Sequence, residues 1–131
     1  MIRSHRMSNY WSWKIYLCVA PDATLQDILK YFNKKEKMHL ISKNLDGRPP
    51  CFISDENEQI GIICIDEWKF DAYHVGVIAH ELMHLIITIS EVCHCGINDY
   101  TTECWAYTMD SFMESFINVL NKKYLKENKD A

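Results

Sequence analysis

The sequence predicts an α+β domain with a small mixed sheet. Three observations lead there. Apolar and polar residues alternate or run unbroken over short stretches near the beginning and middle of the chain, as strands do. Two long stretches in the second half repeat their apolar residues at helical spacing instead. The order of these segments is strand, helix, strands, helix, helix, which is the pattern of an α+β fold. With 131 residues, 48% of them apolar, the chain has material for one domain and one core, not two.

Taken in order, residues 1–9 read as a loose basic tail, with Met7 as an alternative start. The domain then spans 10–131. Residues 12–19 are aromatic and β-branched and predict a strand. Pro21-Asp22-Ala23-Thr24 is a turn and helix cap, and Leu25, Ile28, Leu29 and Phe32 place a helix over 24–37. A short strand is expected over 40–43. The Asp46-Gly47-Arg48-Pro49-Pro50 region makes 44–50 a loop. Strands over 51–54 and 59–66, joined by the polar turn Asp55-Glu56-Asn57-Glu58, predict an antiparallel hairpin. A helix follows over 72–90, then a loop over 92–100 containing Cys93-His94-Cys95-Gly96, and a last helix over 101–127. Lys122, Lys123, Lys126 and Lys129, interleaved with Glu127 and Asp130, read as its solvated end.

The formal net charge is −4, with no basic stripe, which argues against phosphate-driven nucleic-acid binding. The longest apolar run, 75–89, is interrupted by His80, Glu81, His84 and Thr88 and is too short for a bilayer, so no membrane partner is expected. The basic start lacks an apolar signal core. These features point to a cytoplasmic protein whose six cysteines are reduced.

His80-Glu81-Leu82-Met83-His84 is an H-E-x-x-H motif inside the helix over 72–90. Histidines four positions apart share one helix face and can hold one metal ion. Most of that helix is apolar, while His80, Glu81, His84 and Thr88 fall within an arc of about 100°. A polar arc on a buried helix needs partners. A metal, a water held by Glu81, and a third protein ligand supply them. Residues 85–102, eighteen positions, lie between His84 and Glu103. That length lets one helix finish, the chain reverse and a second helix return its first turn to the metal. Cys93, His94, Cys95 and Cys104 are the rival third ligands. On the last helix, Glu103, Tyr107, Asp110 and Glu114 share a face, and Tyr107 or Asp110 could hydrogen-bond a liganding histidine.

His80-Glu81-Leu82-Met83-His84 together with Glu103, in Glu103-Cys104-Trp105-Ala106-Tyr107, resembles the gluzincin branch of the zincin metallopeptidases. The segment is also similar to small phage-encoded zincin-like proteins and, more weakly, to zincin proteases that cleave phage repressors. The resemblance covers residues 50–120. It implies a minimal zincin-like fold with one zinc held by His80, His84 and Glu103, and Glu81 as general base. It implies a hydrolase acting on a peptide or protein substrate, bound as an added strand along the edge strand 59–66. Larger gluzincins carry a Tyr or His that stabilises the oxyanion; Tyr100, Tyr107, His94 and His74 are open candidates here. A catalytically inactive zincin-scaffold binding protein with a structural zinc, serving a phage or mobile element, is the alternative.

Overall fold

The computed structural model describes residues 1–42 and 45–129. Seven elements follow one another: β1 (Arg3–Met7), β2 (Lys14–Val19), α1 (Leu25–Lys35), β3 (Cys51–Asp55), β4 (Ile60–Ile65), α2 (Ala72–Val92) and α3 (Thr102–Lys129). The fold is α+β, with one four-stranded mixed sheet in the order β1-β2-β4-β3. β2 and β4 run parallel at the centre, and β1 and β3 flank them antiparallel.

The β3–β4 hairpin forms as expected. Asp55 Oδ1 accepts from the Glu58 amide, and Gln59 takes a left-handed backbone (φ 53°) to close the turn. Thr24 caps α1 in a reciprocal pair with Asp27, which fixes the helix start.

Four expectations change. The N-terminal residues are not a loose tail: 3–7 pair along β2 in antiparallel register, and Met7 is buried. Alternation in Arg3–Met7 is masked by charged residues on a strand with an open outer edge. Residues 40–42 form no strand; Lys43 lies outside the described residues. Instead the Asn33 side-chain amide bonds both the N–H and the C=O of Leu40, as a neighbouring strand would. The strand expected over 59–66 is not an edge, because β4 lies between β2 and β3. Finally, the sheet is covered on both faces, so there are two apolar clusters in the one domain. α1 packs with Tyr16, Cys18, Ile62 and Cys64 on one face. α2 and α3 pack with Ile15, Leu17, Ile63 and Ile65 on the other. Strands buried on both faces lose the polar alternation that would have announced this.

Contrary to the expectation from the 75–89 run, α2 is 21 residues long with a mean hydropathy of 1.5 over its most apolar stretch, long and apolar enough by length and composition alone to cross a membrane. Its apolar side (Ile78, Leu82, Leu85, Ile86, Ile89) is fully buried against the sheet and α3. Gly61 in β4 permits the close approach: a Cβ there would lie 2.6 Å from Leu85 Cδ1. Lys122 and Lys123 are exposed as expected; the side chains beyond residue 125 lie outside the described residues.

Candidate metal centre

The centre is built on the middle of α2. Asp71 caps that helix by accepting from the His74 amide, and its carboxylate also holds His74 Nδ1 at 2.7 Å. His74 Nε2 is 3.5 Å from Glu67. Two acidic partners thus tie this ring to the helix start. Two turns later come His80 and His84, one turn apart, with ring centroids 5.0 Å apart and planes at 75°.

Donor atoms of His80, Glu81 and His84 all lie within 4.8 Å of one another, and this group can hold a metal ion. Its members differ sharply in exposure. The His80 side chain is 70% exposed and that of Glu81 only 7%. The 100° step between consecutive helix residues turns Glu81 inward while His80 points out. Glu81 Oε1 stands 3.7 Å from His80 Nε2, and Glu81 Oε2 is buried with no hydrogen-bond partner. A buried oxygen left without a partner is uncommon and expensive. Burial pushes the Glu81 carboxyl above its ordinary range, while His80 and His84 pull it the other way. Two accessible imidazoles, a buried carboxylate and an orphaned oxygen aimed beside them suit a cation and a water. Thr88, the fourth member of the polar arc, is satisfied within the helix by the His84 carbonyl.

The sheet supplies the other wall. Phe52 of β3 stacks on His84, with centroids 6.2 Å apart and planes at 12°. An open depression of about 550 Å³ runs from His80 and Glu81 past Val77, Gly76, Tyr73 and Ala72 to Pro50. Gly76 lies one turn before His80, and nothing comes within 4 Å of the Cβ position it lacks, so the depression stays open there. Phe52, Pro50 and Gly76 were not singled out by the sequence reading. Alternation along Cys51–Asp55 was the available signal, since Cys51 and Ile53 face α1 and leave Phe52 facing α2.

The remaining expected residues are not gathered here. Glu103 is exposed in the first turn of α3 and is not part of the donor group. α2 continues past His84 to Val92, about 12 Å of helix at 1.5 Å per residue. His94 then turns the chain with φ 57°. Trp105 Nε1 donates to the Cys95 carbonyl and its ring stacks on Trp11, which anchors the start of α3 near the end of α2. Glu103 therefore sits at that end rather than level with His84. Tyr107, Asp110, Tyr100 and His94 are exposed, and none of them hydrogen-bonds the ring of His80 or His84. Cys93, Cys95 and Cys104 are free thiols and also stand outside the donor group.

No protein-family model, curated protein or solved structure matches the chain.

Proposed function

We propose that the chain is a zinc-dependent metallopeptidase of the zincin type. The observation that carries this reading is the buried Glu81, with one unpartnered carboxylate oxygen, beside two imidazoles one turn apart. Zinc, when bound by His80 and His84, supplies a Lewis acid that polarises the scissile carbonyl and acidifies a water. Glu81, buried beside the two imidazoles, would then serve as general base toward that water and hand the proton to the leaving amine. Burial raises its affinity for the proton, which suits a base that must also act as an acid. An extended peptide is best received by β3 rather than by 59–66. Among the described residues no strand pairs with the outer edge of β3, and its Phe52 packs on His84. The depression at Pro50, Tyr73, Gly76 and Val77 would take one side chain of that peptide.

The peptidase reading assigns the third ligand to Glu103, so the first turn of α3 must close toward His84 when metal binds. Its present position outside the donor group favours a second reading. In that reading the scaffold is an inactive binding protein of a phage or mobile element, its metal serving only as a staple. Zinc content and peptide hydrolysis, measured together, separate the two. The peptidase predicts one zinc per chain, lost in His84→Ala and much weakened in Glu103→Ala, with hydrolysis abolished in Glu81→Gln. Zinc retained in Glu103→Ala, together with no hydrolysis by the wild type, would favour the binding protein. No zinc in carefully purified wild type would remove the peptidase.

A further inference from the structure

Three of the six cysteines lie in one row across the sheet. Cys18 of β2 faces Cys64 of β4 in parallel register, and Cys51 of β3 faces Cys64 in antiparallel register. Cys18 and Cys64 belong to the apolar cluster under α1, and Cys51 packs against that cluster. Cys64 is thus flanked by a thiol on each side. Exposure is graded along the row: Cys18 and Cys64 are fully buried, whereas Cys51, on the edge strand, is partly exposed. Facing residues of an antiparallel pair stand about 4.5–5.5 Å apart at Cα. That falls inside the range of roughly 4.4–6.8 Å that a disulfide spans.

We infer that Cys51 and Cys64 form an oxidisable thiol pair, in which a hydroperoxide oxidises Cys51 and Cys64 then closes a cross-strand disulfide. The Cys51 thiolate attacks the outer peroxide oxygen and the O–O bond breaks. With hydrogen peroxide, a hydroxide leaves and takes up a proton as water. The Cys51 sulfenic acid is then attacked by the Cys64 sulfur. Its S–O bond breaks, and a second water leaves with the Cys64 proton. The two thiols lose two electrons in all, and the peroxide gains them.

The roles differ for physical reasons. The hydrogen bond from Cys64 holds the Cys51 thiol below its ordinary range, against opposing pushes from burial and the Glu81 charge. Bonding to Cys18 and Cys51, with burial, pushes the Cys64 thiol well up. Reaction therefore begins at the accessible sulfur, and the buried one acts only when a sulfenic acid is beside it. The bond would fasten the edge strand that carries Phe52 to the interior of the sheet. The inference does not depend on the metal reading, since these side chains lie on the opposite face of the sheet from α2.

The test uses the full chain with Cys93→Ser, Cys95→Ser and Cys104→Ser, which removes the thiols outside the row. Hydrogen peroxide treatment, blocking of residual thiols and non-reducing peptide mapping then follow. The expected result is a loss of two hydrogens per chain and a peptide pair joined through Cys51 and Cys64. Adding Cys64→Ser should stop the reaction at a Cys51 sulfenic acid that dimedone captures. Adding Cys51→Ser should leave Cys18 and Cys64 as thiols. Mapping the wild type gives the same answer should a variant fail to fold by circular dichroism. A folded protein in which Cys51 resists peroxide, or proceeds to sulfinic acid with Cys64 still a thiol, would overturn the inference.

Discussion

Replacing Glu81 by glutamine removes a buried charge while keeping the shape of the side chain. In metal-free protein this should stabilise the fold at neutral pH. The side chain is 7% exposed and Oε2 has no partner, so its ionised form bears a desolvation cost that no hydrogen bond offsets. Glutamine leaves the same position unpartnered but without the charge, so what it relieves is the extra cost of burying the ionised form, on the order of 1–2 kcal/mol. For a domain of this size, each kcal/mol moves the midpoint of thermal unfolding by roughly 4 °C. Glu81→Gln should therefore melt about 4–8 °C higher than the wild type near pH 7, after chelation. The pH dependence has a definite sign. The folded carboxyl binds its proton more tightly than the ordinary carboxyl, whose value is 4.5. Between that value and the raised one, the folded state holds more protons than the unfolded state, so wild-type stability falls as pH rises through the window. Below 4.5 both states are protonated, and the two proteins should converge. Thermal melts of chelated protein across this range provide the assay. A variant no more stable than the wild type at any pH would refute the reasoning, because it would mean that Glu81 has a partner when metal is absent.

Three further substitutions test how the centre is positioned. Gly76→Ala should stabilise α2 by about 0.5–1 kcal/mol, since helical glycine is costly and the added methyl meets nothing within 4 Å; if the depression receives substrate, KM for a peptide should rise as zinc content stays unchanged. Gly61→Ala should destabilise by about 1–3 kcal/mol in denaturant titrations, because its Cβ would stand 2.6 Å from a fully buried Leu85 side chain; an unchanged midpoint would mean that α2 is free to lift from the sheet. Asp71→Ala should speed amide exchange in the first turn of α2. Because hydrogen bonds from His74 hold Asp71 below its ordinary 3.8, the stability it gives is present above that value and lost as pH falls below it; the variant should lack that acid-side component.

The order of elements was legible because each element has its own local signal. Thr24 and Asp27 announce a capped helix, and the hairpin turn is written in Asp55-Glu56-Asn57-Glu58. The His80–His84 pair was legible for the same reason, since a four-residue spacing on a helix fixes the geometry whatever surrounds it. What escaped depends on non-local pairing. Arg3–Met7 carries four polar or charged residues in a row, and only its register with β2 makes it a strand. The position of β4 inside the sheet follows from its parallel pairing with β2 across α1, a crossover that its own sequence does not encode. Residues 40–42 have strand-like composition, yet the backbone of Leu40 finds its partners in the Asn33 side chain.

Glu103 shows how a motif and its spacing can be right about a helix and still leave a ligand unplaced. Coordination by Glu103 requires α3 to begin within reach of His84. Instead α2 runs to Val92, and the loop is bound to itself through Asn98, Gly96 and Thr101. Together with the Trp105 bond to Cys95, this fixes where α3 starts. Bringing Glu103 to the imidazoles means unwinding the last turn of α2 or sliding α3 along it. Either change would break the Trp11–Trp105 stack or the Cys95–Trp105 bond. Tryptophan fluorescence on zinc addition therefore reports directly on the third ligand. A shift that Glu103→Ala abolishes would make Glu103 a ligand reached by movement. A spectrum unchanged by bound zinc would leave His80 and His84 as the protein's own imidazole ligands, with Glu81 beside them, and the coordination completed by water or by whatever binds along β3.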